Sequence, residues 1–255
     1  MADAQQTLQA LVEMSNELGR PERDLVILGE GNTSALCDDG SFYVKASGTE
    51  LRTIDADGFV RVWVAPVAAL ADQASLSDDD LKAALEAAKV DATNKRRPSV
   101  ETVLHALALS ETSAKFVGHT HPVAVNALMC SVAVTDAISG RLFPDEIVVC
   151  GPAPAYVPYT DPGLPLARAV RDAFHRFQDE WGMSPKVVLM QNHGLIALGS
   201  SPREVNSISE MYVKTCRILA GSYAFGGPHF LTDEAVQRIH TRPDELYRRT
   251  QLKLG

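Results

Sequence analysis

Apolar positions along this chain recur at two spacings, and the spacing changes from segment to segment. Leu8, Leu11, Val12, Ser15 and Leu18 share one face at helical period, and Gly19 stops that run. Residues 59–64 alternate at period two, and residues 42–45 follow the turn Cys37-Asp38-Asp39-Gly40-Ser41, so both segments are expected strands and the turn a hairpin. The apolar runs at 24–28 and 146–150 read as further strands. Helices are expected behind Ser77, with Leu81, Leu85 and Ala88 on one face, and behind Ser99 as N-cap, with Val103, Leu104 and Leu107 inward. Three more are expected over 123–129, from Leu164 to Trp181 with Gly182 as stop, and after the capping box Ser201-Pro202-Arg203-Glu204. In the last of these, Val205, Ile208, Tyr212, Thr215 and Leu219 form the buried stripe. A final helix starts near Thr232. Residues 151–163, rich in proline and carrying Tyr156 and Tyr159, read as an extended loop. Strands and helices mix without strict βαβ alternation. The pattern therefore predicts an α/β fold with a mixed or mainly antiparallel sheet covered by helices.

Composition narrows the function classes. The 255 residues suffice for one large core, and with no linker or repeat in view residues 1–255 are expected to form one domain. A net charge of -8 argues against nucleic-acid or membrane-surface binding, since phosphate backbones need clustered Lys and Arg. The four cysteines are scattered with no CxxC pair, as expected of reduced thiols in a cytosol. The start, Met1-Ala2-Asp3-Ala4-Gln5, lacks the basic-then-apolar plan of a signal peptide, and no apolar run approaches the roughly 20 residues that span a bilayer. A cytoplasmic protein is expected. The tail (Arg248, Arg249, Lys253) is basic.

The chemistry gathers around His119-Thr120-His121-Pro122. An apolar start at Phe116 and a proline stop read as the end of a buried strand. Alternation puts His119 and His121 on one side, half of a transition-metal site. His193, in the turn Gln191-Asn192-His193-Gly194 between two apolar runs, is the candidate third ligand. Glu101 and His105 stand at i and i+4 of one helix. Alone, Glu101 reads as a carboxylate complementing the helix dipole, and His105 as a hydrogen-bonded core histidine. Gly29-Glu30-Gly31-Asn32-Thr33-Ser34 and Ala46-Ser47-Gly48-Thr49 are small-residue loops through which backbone can approach a ligand.

Gly31-Asn32-Thr33-Ser34, Ser47-Gly48, Pro98-Ser99-Val100-Glu101 with His105, His119-Thr120-His121-Pro122 and Asn192-His193-Gly194 occur in that order. This ordered set resembles the class II aldolase/adducin family, with its fuculose-phosphate and rhamnulose-phosphate aldolases, from about Leu8 to Ala220. The resemblance implies a three-layer α/β/α fold with a mainly antiparallel central sheet. It further implies a homotetramer with sites at subunit interfaces. His119, His121 and His193 then match the metal ligands and Glu101 the catalytic carboxylate. Gly31, Asn32, Ser47, Gly48 and Ser99 match the phosphate cradle. Two departures stand out. Val100 removes a hydroxyl donor that the family's PSSE loop often has. No tyrosine follows the histidine strand closely, which leaves Tyr247, Tyr156 and Tyr159 as candidates for the proton-donating tyrosine that these aldolases take from a neighbouring subunit.

Three neutral imidazoles with open positions suit one divalent ion per chain, zinc first, with manganese or cobalt as alternatives. The expected function is a metal-dependent carbon–carbon lyase that cleaves a small sugar phosphate by retro-aldol reaction through a metal-stabilised enediolate. Glu101 would move the proton. The alternatives are decarboxylation of a sugar acid or keto acid (phosphate) on the same site and, from another class, a non-catalytic adducin-like interaction module. The expected partner is a small molecule, phosphorylated or carboxylated, with neither nucleic acid nor membrane.

Overall fold

The strands are β1 (Asn32–Leu36), β2 (Ser41–Lys45), β3 (Phe59–Trp63), β4 (Phe116–Thr120), β5 (Ala155–Val157), β6 (Val187–Met190) and β7 (Gly194–Gly199). They form one sheet in the order β3-β2-β1-β4-β7-β6-β5. Every neighbouring pair is antiparallel except β5 against β6. This computed structural model describes residues 3–252, apart from the side chains of Leu246, Arg249 and Leu252. Met1, Ala2 and Lys253, noted in the sequence, lie outside it.

Helices cover both faces, as the α/β/α expectation requires. On one side lie α2 (Val64–Ala68), α3 (Asp78–Ala87), α4 (Thr102–Glu111) and α8 (Leu164–Trp181). On the other lie α1 (Ala4–Leu18), α5 (Val123–Met129), α6 (Val134–Ala137), α7 (Pro144–Cys150) and α9 (Pro202–Ser222). The C-terminal α10 (Asp233–Thr241) and α11 (Pro243–Leu252) pack against α7 and each other. Strand alternation divides the core in two. Val188, Met190, Ile196 and Leu198 face the α4–α8 side, and Val187, Leu189, Leu195 and Ala197 face the α1–α9 side. Phe174 of α8 and Leu107 of α4 are fully buried on the first side, each stabilising by about 1.5–3 kcal/mol. That packing holds α4, and with it Glu101, against the centre of the sheet. Among the described residues, no helix is long and apolar enough to cross a membrane.

Several elements differ from the expected ones. Residues 24–28 form no strand. Asp24 and Leu28 take left-handed φ of 57° and 52°, and only Leu25 is buried, its carbonyl accepting from His121 N–H. Residues 146–150 belong to helix α7, where Pro144 at the helix start and Asp145 and Glu146 in the first turn outweigh the β-branched run. Residues 151–163 hold a short strand, β5, that extends the sheet beside β6. Asn32, Thr33 and Ser34 lie on β1 and not in a loop. Helix α4 starts at Thr102 with Glu101 at the N-cap position, and Ser99 stands further back, its Oγ accepting from Glu101 N–H at 3.3 Å. Only half of the Ser201 capping box forms. Ser201 Oγ accepts from Glu204 N–H, while the Glu204 carboxylate takes Lys186 and Ser200.

Candidate active site

Three elements bring the histidines together. β4 sends His119 to the α4 side of the sheet, and His121 follows one residue past the strand end. The turn between β6 and β7 delivers His193. Asn192 there adopts φ 53°, a left-handed conformation asparagine tolerates, and Asn126 of α5 donates to the His193 carbonyl at 3.0 Å. Gly194 is compelled by close packing. A Cβ on it would lie 2.5 Å from the Thr120 carbonyl oxygen and 2.8 Å from Cδ2 of His121.

The imidazole ring centroids lie 4.7, 5.0 and 5.0 Å apart, and one nitrogen from each ring falls within 4.8 Å of the others. His119 Nδ1–H donates to the Leu195 carbonyl at 3.0 Å, which leaves its Nε2 lone pair facing inward. That Nε2 stands 3.0 Å from His121 Nε2. Burial, helped by the neighbouring histidines, lowers His121 to about 3; burial and His119 lower His193 to about 4. Both rings are therefore neutral at neutral pH, the form a metal ion takes. Converging neutral nitrogens with an outer hydrogen bond fixing one tautomer fit a divalent cation well.

Glu101 faces this cluster. Its two carboxylate oxygens stand 3.5 Å from His119 Nε2 and 3.4 Å from His193 Nε2. Burial alone would raise its pKa. His119, the hydrogen bond from Asn32 and His193 together outweigh that and hold the carboxyl at about 2. The Asn32 amide donates to Glu101 Oε2 at 2.6 Å, and its oxygen meets His105 Nε2. His105 is thus a hydrogen-bonded buried histidine, as expected, and not a ligand.

The expected anion cradle is brought together in part. Gly31, with φ 66°, packs so close to the His119 carbonyl that a Cβ would sit 2.5 Å from it. A bridge between Ala46 and Pro98 joins the second loop to the segment carrying Ser99. Gly48 has φ 80° and an open face. Yet the Ser47 N–H is donated to the Arg97 carbonyl, and the Asn32 amide serves Glu101. Lys45, at the end of β2, joins the site without a motif of its own. Its side chain is 4% exposed and its ammonium donates to the Gly29 carbonyl at 3.0 Å. Burial lowers its pKa, against the pull of the Glu101 and Glu50 carboxylates. The available signal was a lone lysine directly preceding the Ala46-Ser47-Gly48 loop. Of the tyrosines, Tyr247 is exposed on α11, which packs against α10 and α7. Tyr156 lies on β5, and the Tyr159 N–H donates to Gln191, in the turn carrying His193.

The family profile described as Class II Aldolase and Adducin N-terminal domain matches residues 9–220. A Bacillus subtilis (strain 168) protein named "Uncharacterized oxidoreductase YuxG" is 28% identical over 202 residues, 76% of this chain and 27% of that protein. The chain thus spans about a quarter of the length of this curated relative. Among solved structures, the N-terminal class II aldolase domain of a conserved protein from Thermoplasma acidophilum is 25% identical with a TM-score of 0.68, covering 86% of this chain and 96% of that one. An L-fuculose 1-phosphate aldolase, 20% identical, gives a TM-score of 0.69 over 94% of this chain and 96% of its own. With the profile running through every motif of the site, this chain belongs to the class II aldolase and adducin family.

Proposed function

We propose that this chain is a metal-dependent carbon–carbon lyase that cleaves a small sugar phosphate by a retro-aldol reaction. The observation that carries the reading is the Glu101 carboxylate, 3.4 and 3.5 Å from two of three converging imidazoles. His119, His121 and His193 would hold the metal, zinc suiting three neutral nitrogens best. When bound, a divalent ion supplies Lewis-acid catalysis, stabilising negative charge that develops on substrate oxygens as the carbon–carbon bond breaks. Glu101, ionised at neutral pH, accepts through a carboxylate oxygen the proton that the substrate's hydroxyl loses as the carbon–carbon bond breaks, and returns it to the carbon of the departing fragment. The Asn32 amide keeps that carboxylate aimed at the cluster. Lys45, Gly31, Gly48 and Ser99 form the side that receives the substrate's anion. Ile27, Leu28, Val100 and Val123, each close in sequence to a site residue, are exposed apolar positions and support a homotetramer with the sites at its interfaces. In such an assembly Tyr247, exposed on α11, would act as proton donor in a neighbouring subunit's site when the reaction runs in reverse, protonating the aldehyde oxygen as Glu101 takes a proton from carbon.

A second reading, decarboxylation of a sugar acid or keto acid, draws support from the cradle. Val100 offers no side-chain donor, and Ser47 N–H and Asn32 are engaged elsewhere, an arrangement that suits a carboxylate with fewer donors. Incubating the metal-loaded protein with a panel of ketose 1-phosphates and keto-acid phosphates decides between them. Aldehyde release supports the lyase reading. Carbon dioxide release establishes the second. No turnover and no bound metal would leave the interaction module.

A further inference from the structure

Behind Glu101 runs a buried chain of hydrogen bonds that the two elements build by matching their periods. On β1, Asn32 and Ser34 are two residues apart and face α4. Glu101, at the N-cap of α4, and His105, in its first turns, are four apart and face β1. The four side chains alternate between the elements. Ser34 Oγ lies 2.7 Å from His105 Nδ1, His105 Nε2 meets Asn32 Oδ1, and Asn32 Nδ2 donates to Glu101 Oε2 at 2.6 Å. Ser34 and His105 are 0% exposed, Asn32 5% and Glu101 8%.

The direction of this chain follows from its last member. An ionised carboxylate accepts only, so Asn32 must present its NH2 group and turn its oxygen to His105. That oxygen also only accepts, so His105 must carry its proton on Nε2. His105 Nδ1 is then a bare acceptor, and the Ser34 hydroxyl donates to it. Every donor points toward Glu101, and such chains strengthen one another. A flipped Asn32 would set two acceptor oxygens at hydrogen-bond distance with no proton between them. In a buried pocket that arrangement is strongly disfavoured.

We propose that His105 and Ser34 are positioning residues for Glu101, locking the Asn32 amide in the orientation that donates to the carboxylate. The inference rests on the reading of Glu101 as the proton-moving group. It adds that Asn32 acts on the carboxylate through one N–H of its amide. His105 never touches substrate. Its loss frees Asn32 to turn and Glu101 to shift, and a displacement on the order of 1 Å costs about 10²-fold in rate.

The test combines two variants with a measurement on the unaltered protein. In His105→Leu the donor is gone. In His105→Gln an amide N–H reaches the place of Nε2. With a substrate that the unaltered protein turns over, kcat of His105→Leu should fall about 10²-fold with KM and metal content unchanged. His105→Gln should recover to within several-fold of the unaltered protein. Nitrogen-15 NMR of the unaltered full chain should show His105 as the neutral Nε2–H tautomer. A kcat for folded His105→Leu within twofold of the unaltered protein overturns the proposal. So does a Gln variant as impaired as the Leu variant, and so does an Nδ1–H tautomer. If Leu or Gln does not fold, the tautomer decides alone. If no substrate turns over, the lyase reading fails while the tautomer still judges the relay.

Discussion

Gly194→Ala perturbs the site through one atom. The added Cβ would lie 2.5 Å from the Thr120 carbonyl oxygen, 2.8 Å from His121 Cδ2 and 3.4 Å from His119 Cε1. Ordinary heavy-atom contacts sit at about 3.5–4.0 Å, so the first two are hard overlaps. The carbonyl belongs to β4, whose Thr120 is paired with Leu195 of β7, so backbone has to separate where the sheet is most constrained. Overpacking of this kind costs about 1–3 kcal/mol. For a chain of this size each kcal/mol lowers Tm by roughly 2–4 °C. The same overlap pushes on two of the three imidazoles, and disturbed ligand orientation costs about 10–100-fold in metal affinity. Thermal unfolding of the metal-free protein reads the first effect, and competition against a zinc chelator reads the second. Gly221→Ala, where a Cβ meets nothing within 4 Å, is the control and is expected neutral or slightly stabilising. Unchanged Tm and unchanged zinc affinity in Gly194→Ala would refute the close packing of Gly194 against the histidines.

Other expected outcomes follow from the same geometry. His193→Ala, at a turn and partly exposed, should lose metal while keeping its fold; metal analysis and circular dichroism check this, and retained metal would remove His193 from the site. His105 has its pKa lowered by burial, and further by His119, from 6.5 to about 3, so the folded state resists a proton that the unfolded state accepts. His105 therefore contributes a loss of stability as pH drops from about 6.5 toward 3, at up to about 1.4 kcal/mol per unit, and His121 and His193 add to it in the same direction. Glu101 adds to the loss below its ordinary value of 4.5 as pH falls toward 2. Urea denaturation of the metal-free protein should show this slope, reduced in His105→Gln, and equal stability at pH 6.5 and 4.5 would contradict it. Inorganic phosphate should compete with substrate, and Lys45→Met should raise KM with metal content unchanged; an unaltered KM would detach Lys45 from the anion.

Where local chemistry and tertiary packing agree, the sequence was enough. Helix α8 runs from Leu164 to Trp181 because an amphipathic stripe ends at Gly182, whose φ of 67° no other residue adopts as readily. Ser77 caps α3 through the Asp80 N–H, and the histidine strand and the helix after Pro122 fall where their residues put them. The three histidines were legible because a strand period and a turn fix their direction. Short apolar runs are where structure and pattern part. Residues 146–150 look the same to periodicity as strand or helix, and the helix-start signals at Pro144–Glu146 had to arbitrate. Residues 24–28 look buried, yet Ile27 and Leu28 are exposed in this chain. The relay from Ser34 to Glu101 was out of reach because it needs the register of β1 against α4, a tertiary fact. For the same reason Asn32 and Ser47 looked like free anion donors, although one N–H of the Asn32 amide is taken by Glu101 and the Ser47 N–H by Arg97.

In the proposed reaction Glu101 moves a proton at carbon beside a metal held by three histidines. Exchange in heavy water tests it without knowledge of the aldehyde partner. Dihydroxyacetone phosphate, the fragment that a ketose 1-phosphate would release, is incubated with protein in D2O, and loss of its hydroxymethyl proton signal is followed by NMR. Exchange should disappear on chelation, return with zinc, and fall by about 10²–10⁴-fold in Glu101→Gln at unchanged metal content. Exchange by the metal-stripped protein, or at an equal rate in Glu101→Gln, would contradict it.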